Sequence, residues 1–453
     1  MRNFRKLVAV TAVAVSASMA LGTIASAESI NGSGATFPQT FLASATTAYN
    51  AASGHTVSYA NPGGGSSKGK ADFKNGLTDF GGTDSSVTSS QAASFGWTYV
   101  PYIAGGISVA YRLDEIKGTT LQLKMATVAK IFSGKITKWN DPLILADMDD
   151  NPLWANSKKK SDAKGASVLW QNVSATSATV TVTLTPAALK SAKGKKIEIF
   201  NGGKKSVVSA TVAKKGQIAL ALTTGVTKKY SIKLDGKEVA SFAKSTLALP
   251  DKSIIVTYRS DGSGTTNNFI QPLKAIDSTW TVNDAFTTAI PGGQSSVTAM
   301  GASFQGQSGS AAVSNYIADT NGSIGYTEVS FVTDATRAAK GMVSALVQNA
   351  AGKYTAPTAA AVSSMLSASD IDAKGFVTFN FKQTTNATAY PIVAVTYLLG
   401  KTSASAKNSV VSDFAQWMLT TYAPASAESL GYAALTGSLY SLALNKAKTV
   451  NAG

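Results

Sequence analysis

The 453-residue chain has no cysteine and a single histidine. The first absence excludes disulfide staples, thiolate metal sites, cysteine nucleophiles and a lipid-bearing N-terminal cysteine. The second leaves too little imidazole for a His-based triad or a zinc cluster. His55 itself sits in Ser53-Gly54-His55-Thr56, where a helix ends and a strand begins, and reads as a turn or strand residue. Charge is also scarce, at 15% of residues, yet its balance is +16. Arginine is missing from residues 151–250, which carry 17 lysines and four acids (Asp162, Glu198, Asp235, Glu238), a net of +13. Residues 1–27 hold three cations and no acid, so the rest of the chain is formally neutral. The positive charge therefore belongs to one middle segment, which marks it as a separate unit.

The apolar run from Leu7 to about Ala20 is short for a membrane span. It follows Arg2, Arg5 and Lys6 and precedes Ala25-Ser26-Ala27, the layout of a secretory signal peptide over residues 1–27 with an A-x-A cleavage site. The mature chain is expected to begin near Glu28 and to be periplasmic, secreted or at the cell surface.

Apolar Phe41, Leu42, Ala45 and Tyr49 recur at helical spacing between Phe37 and Ala52, and Gly54 stops the run. Residues 55–59 then alternate as a strand. Ile107 to Tyr111 and Ser323 to Tyr326 read as further strands, Met125 to Ser133 and Asn408 to Tyr422 as helices. Strands alternating with helices imply an α/β body, and the length implies two or more domains. Between about Trp154 and Thr246 the texture changes to seven short alternating runs: 167–171, 178–184, 196–200, 207–212, 217–222, 230–234 and 238–242. Turns such as Asn201-Gly202-Gly203 and Asp235-Gly236 separate them. This predicts an all-β, immunoglobulin-like sandwich inserted into a loop of the α/β body.

Chemistry-bearing residues gather in glycine turns. Tyr258-Arg259-Ser260-Asp261-Gly262-Ser263-Gly264-Thr265 lies between an apolar strand, Ser253 to Thr257, and a helix from Thr266 to Leu273. The first turn of a helix offers backbone N–H groups without intrahelical partners and a partial positive charge, a ready oxyanion site. Arg259 adds a fork-shaped cation, Ser263 and Thr265 add hydroxyls, and the bland alternative is an ordinary N-cap. Gly32 to Pro38 precedes the Phe37 helix in the same way, and Gly63-Gly64-Gly65-Ser66-Ser67 precedes a helix from Lys68 to Gly76. Asp79 to Ser85 supplies a carboxylate in a loop. Two motif matches in this region fail on their neighbours. Gly64 to Lys70 fits part of a nucleotide phosphate loop, but Ala71 replaces the magnesium-binding hydroxyl. Ser67-Lys68-Gly69-Lys70 fits S-x-x-K, but no S-D-N or K-T-G follows.

As an ordered set these segments resemble the phosphate-specific substrate-binding proteins of bacterial ABC importers. Gly105-Gly106-Ile107, Ile131 to Trp139, Gly322 to Tyr326 and Tyr390-Pro391-Ile392 support the resemblance, which covers nearly all of the chain beyond residue 27 apart from the basic insert. It implies a two-lobed α/β flytrap of the periplasmic-binding-protein type. Lobe I would comprise 28–110 and 390–453, lobe II 111–153 and 247–389, with the β-sandwich at 154–246. It also implies that Thr36, Phe37, Ser66, Arg259, Ser263, Gly264 and Thr265 donate to phosphate. Asp84 would accept the ligand's own proton, and Asp261 would orient Arg259. No catalytic residue, metal or cofactor is implied, and the chain is expected to act as a monomer with a permease as partner.

Asp84 beside an anion makes sense only if that anion carries a proton, which hydrogen phosphate does and sulfate does not. Two other functions are weighed. One is a secreted or surface protein that scavenges phosphate or adheres through its insert, whose lysines would grip acidic envelope polymer or extracellular nucleic acid. The other is a phosphate-releasing hydrolase, which the near absence of histidine disfavours.

Overall fold

The computed structural model describes residues 27–453 except 61–63, 117–119, 150–165, 172–177, 193, 202–205, 213–216, 223–228 and 244–248. The signal peptide expected at 1–27 thus falls almost wholly outside the described residues. So do Lys158 to Lys160, Lys193, Lys204, Lys205, Lys214, Lys215 and Lys228 of the insert. Among the described residues no helix is long and apolar enough to cross a membrane.

A ten-stranded mixed sheet forms the body. Its main path runs Phe304–Gln307, Ile255–Arg259, Ser323–Glu328, Trp97–Arg112, Val393–Lys401, Phe80–Thr83, Ser29–Gly34, Thr56–Tyr59. The two ends are parallel and the middle antiparallel. At the centre, Trp97–Arg112 pairs with Val393–Lys401 through Gly106 and with Ser323–Glu328 from Ile107 onward, so one 16-residue strand belongs to both halves.

The partner change falls at Gly105-Gly106-Ile107, where space is short. A Cβ on Gly105 would stand 2.8 Å from the Phe37 ring, and one on Gly106 2.5 Å from Pro357 Cβ. The strand expected over 107–111 is the far part of this longer one. Its length escapes a period-two reading because both faces are buried, which replaces alternation with a continuous apolar run. Pro101 also reads as a strand breaker, but the ladder shifts register beside it, where a missing donor is tolerated.

In each half a parallel strand ends in a glycine turn and a helix. Ser29–Gly34 leads to helix Gln39–Ser53, Ile255–Arg259 to Gly264–Ile276, and Phe304–Gln307 to Gly309–Asp319. Helix Gly65–Lys74 begins three residues before the expected Lys68, and Gly264–Ile276 two before Thr266. Ser66, Ser67, Gly264 and Thr265 therefore lie inside first turns, where N–H groups have no intrahelical partner. The helix expected over 408–422 spans Ala406–Trp417 and continues as a π-helical turn, Met418–Tyr422.

All seven strands expected in the insert are present, shifted by at most one or two residues at their ends. They form an antiparallel three-stranded sheet, ordered Gln217–Leu222, Ala178–Leu184, Ala166–Gln171. The other four make a second sheet, Lys237–Ala243, Lys229–Leu234, Lys196–Asn201, Ser206–Thr211. Asp235 and Gly236, with φ of 51° and 77°, make the hairpin turn that their Asp-Gly sequence calls for. A short helix, Pro186–Ala192, was not expected.

Candidate anion-binding site

Arg259 ends its strand with only 2% of its surface exposed. Asp261 clamps the guanidinium as a fork, with Nε donating to Oδ1 at 2.7 Å and Nη2 to Oδ2 at 2.5 Å. Nη1 donates to Ser310 Oγ at 3.1 Å, and the Arg259 backbone N–H donates to the Tyr326 hydroxyl at 3.1 Å. Tyr326 stacks on Phe269 with centroids 4.4 Å apart. Burial opposes the charge on Arg259, but Asp261 raises its pKa above the ordinary value. Burial likewise opposes the charge on Asp261, and Arg259 holds that carboxyl below the usual range. The pair is therefore ionised on both sides and fixed in direction.

Helix starts surround it. Ser263 Oγ accepts the Thr266 N–H at 3.1 Å, a cap that uses a lone pair and leaves the hydroxyl proton for another acceptor. At Gly264 a Cβ would meet Ser66 Oγ at 2.4 Å and Asp84 Cβ at 2.7 Å, so only glycine lets this turn press against the opposite half of the sheet. Thr36 Oγ1 lies 2.9 Å from Ser310 Oγ and accepts the Ser310 N–H at 3.2 Å. Phe37 is fully buried and its carbonyl accepts from the Tyr432 hydroxyl at 2.7 Å. Ser66 Oγ accepts the Asp84 N–H at 3.0 Å and donates to Asp84 Oδ2 at 3.3 Å. Thr36, Phe37, Ser66, Asp84, Arg259, Ser263, Gly264 and Thr265 thus come together around one point, although they are scattered from 36 to 265 in sequence.

Asp84 is 1% exposed, and its Oδ1 is buried without a hydrogen bond. Burial pushes the carboxyl up to about 7, Glu328 adds to the rise, and Thr396, Arg259 and Ser66 pull against it. The pull from Thr396 is weak in geometry, since its hydroxyl completes no hydrogen bond either. A buried carboxyl oxygen without a hydrogen bond retains the capacity to accept one.

Several contributors were not foreseen. Ser310 starts helix Gly309–Asp319, and Gln307-Ser308-Gly309-Ser310 repeats the strand, glycine turn and hydroxyl pattern of the Arg259 segment, so the signal was there. Glu328, 1% exposed, closes the buried strand that begins at Ser323 and accepts from Thr265 Oγ1 at 3.1 Å and Ser310 Oγ at 2.8 Å. Lys70, set aside above with a failed nucleotide-loop match, bridges the two halves. Its Nζ reaches Asp284 Oδ2 at 2.8 Å, Ser85 Oγ at 3.1 Å and the Ser86 carbonyl at 3.1 Å. Asp284 also accepts from Ser67, Ser85 and Asn267, and Asn268 Nδ2 donates to the Asp84 carbonyl at 2.5 Å. No local sequence signal pairs Lys70 with Asp284. His55, by contrast, accepts the Glu28 N–H at 3.1 Å and donates its own backbone N–H to Ser53 Oγ at 3.1 Å, the contacts of a turn residue beside a strand.

A family model described as a PBP superfamily domain matches residues 22–246 and 179–421. The chain belongs to the PBP superfamily. Within it, the chain is 26% identical over 395 residues to the phosphate-binding protein PstS of Xylella fastidiosa (strain Temecula1 / ATCC 700964), covering 86% of this chain and 76% of that protein. It is 36% identical over 137 residues to PstS of Haemophilus influenzae, covering 30% of this chain and 40% of that one. Two solved structures share the fold. One is a high-affinity periplasmic phosphate-binding protein (PfluDING) bound with phosphate, with TM-score 0.55, 19% identity and coverage of 91% and 92%. The other is an ancestral soluble variant of the human phosphate-binding protein, with TM-score 0.56, 18% identity and coverage of 94% and 98%. The candidate site lies where the two halves of the sheet meet.

Two outcomes follow from this geometry. Lys70→Met removes the cation of a buried bridge between lobes, a loss on the order of 3 kcal/mol. Small-angle scattering of the ligand-free variant should give a larger radius of gyration and melting should fall; an unchanged radius and melting point would refute the bridging role. The Asp84 carboxyl keeps its proton to about pH 7 in the folded chain, against 3.8 ordinarily. Its contribution to stability is therefore present below about pH 4 and lost as pH rises through about 7. Asp84→Asn should gain on the wild type across that window, by up to roughly 4 kcal/mol. Parallel melting curves from acid to neutral pH would contradict this.

Proposed function

We propose that the protein captures inorganic phosphate outside the cytoplasm and delivers it to an ABC importer, without catalysing a reaction. The observation that carries this reading is the pairing of Arg259 with a buried, unpartnered Asp84 oxygen amid helix starts. Above about pH 7, where Asp84 is ionised, such a site accepts an anion and also requires it to carry a proton. Arg259 would donate through the guanidinium hydrogens that Asp261 and Ser310 leave over. Thr36, Phe37, Ser66, Gly264 and Thr265 would donate through backbone N–H groups, joined by the Ser66 and Ser263 hydroxyls, while Asp84 accepts the ligand's proton. The relatives named phosphate-binding protein PstS support the same ligand. The scavenging or adhesion alternative gains nothing from them.

The insert is read as an immunoglobulin-like sandwich occupying 154–246. With its strands lettered in chain order, its sheets run E-B-A and G-F-C-D. This keeps the B–E and C–F–G neighbours of such a sandwich and moves the D strand to the other sheet. Its lysine-rich, arginine-free sequence suits attachment to an acidic polymer of the cell envelope rather than base-specific contact with nucleic acid.

Calorimetry of the ligand-stripped protein should show binding of phosphate and not of sulfate. Asp84→Asn should weaken phosphate binding by roughly tenfold to a hundredfold, the effect of one charged hydrogen bond. Equal affinity for the two anions, or no loss in the variant, would refute the proton-reading role. For the insert, the full chain should be retained on an immobilised acidic polymer and released by salt. Retention indifferent to salt, or none, would remove the anchoring role.

A further inference from the structure

Glu328 stands at the end of a chain of hydroxyls that leads to the anion site. Its Oε1 accepts from Ser310 Oγ at 2.8 Å and from Thr265 Oγ1 at 3.1 Å, and its Oε2 accepts from Thr327 Oγ1 at 3.0 Å. A hydroxyl has one proton and two lone pairs. With the Ser310 proton directed at an ionised Glu328, Ser310 Oγ can only accept, from Arg259 Nη1 at 3.1 Å and from Thr36 Oγ1 at 2.9 Å. Thr36 Oγ1 in turn accepts the Ser310 N–H at 3.2 Å. In this state the hydroxyl proton of Thr36 is committed to Ser310 Oγ and that of Thr265 to Glu328 Oε1.

Placing a proton on Glu328 reverses the chain without moving a heavy atom. Glu328 then donates to Ser310 Oγ, which still accepts from Arg259 and now donates to Thr36 Oγ1. Thr36 keeps both acceptor bonds filled by Ser310 and its own proton is released, while the neutral carboxyl becomes a weaker acceptor that frees the Thr265 hydroxyl to turn to a stronger one. Every lone pair and hydrogen remains accounted for.

We propose that Glu328 takes up a proton from solution as the anion enters, and so acts as a positioning residue that turns the Thr36 and Thr265 hydroxyls onto the ligand. The inference rests on the phosphate-binding reading above. The ionisable groups facing Glu328 are Arg259, which favours its charge, and Asp84 and Tyr432 from other elements. Burial already pushes the Glu328 carboxyl up. An arriving anion pushes in the same direction, because like charges disfavour ionisation.

The test is calorimetry of the full chain with inorganic phosphate at about pH 8, where free Glu is fully ionised, in buffers of differing ionisation enthalpy. The expected result is uptake of a sizeable fraction of one proton per anion by the wild type. Glu328→Gln should remove most of that uptake, leaving only the share of Asp84, and Ser310→Ala, which cuts the chain but keeps the carboxyl, should at least halve it. Binding with no buffer-dependent heat, or uptake unchanged in both variants, would overturn the role of Glu328 alone. A wild type that gives no binding heat at all would overturn the phosphate reading as well.

Discussion

The site depends on burying one guanidinium beside more carboxylate than it can neutralise. Arg259 and Asp261 cancel as a clamped pair, and Asp84 and Glu328 remain, each 1% exposed. In a poorly solvated pocket two such acids cannot both hold full charge comfortably, and both are shifted toward their neutral forms. An anion arriving there finds little net positive charge. What it finds are N–H groups at helix starts, whose dipoles are fixed by the backbone and need no reorganisation. On the reading proposed above, the proton positions of the two acids would decide which anions fit.

The same groups tie the lobes together. Asp84 and Ser66 belong to one lobe and Gly264 and Asn268 to the other, yet Asn268 bonds the Asp84 carbonyl and Gly264 has no room for a Cβ. Thr36 meets Ser310, and the Ser67 N–H donates to the Gly262 carbonyl at 3.0 Å. Lys70 and Asp284 add a buried ion pair to this seam. One set of residues thus both lines the candidate site and joins the two halves of the sheet. A ligand that binds only the closed arrangement biases the lobes by its differential affinity for that state.

What could be read in the sequence was whatever is local. A strand, a glycine turn and a helix N-terminus adjoin along the chain, so Arg259 to Thr265, Gly32 to Pro38 and Gly65 to Ser67 announced themselves. The insert's strands did so as well, because one-sided burial makes them alternate and Asp-Gly turns bound them. The central strand was legible only in part, since burial on both faces erases the alternation. Lys70 and Asp284 lie 214 positions apart, and nothing in either neighbourhood encodes the other. Glu328 was hidden differently. Its strand reads as an ordinary buried one, and a terminal acid there looks like the strand's exit to solvent until Thr265 and Ser310 are seen to enclose it.

Charge bookkeeping separates the two parts of the protein. Net positive charge resides in residues 151–250, outside the body, and the remainder beyond residue 27 is formally neutral. Exposed lysines act over about 8 Å at physiological ionic strength, so their field is a poor instrument for telling one small anion from another. Phosphate and sulfate have nearly the same shape, and what distinguishes them is a proton. Discriminating between them needs an acceptor held at hydrogen-bond distance, kept dry, and flanked by donors that cannot follow the ligand if it arrives without that proton. A buried carboxyl meets those terms where a surface cation cannot. The body can then remain formally neutral, because selectivity in the site does not require net charge.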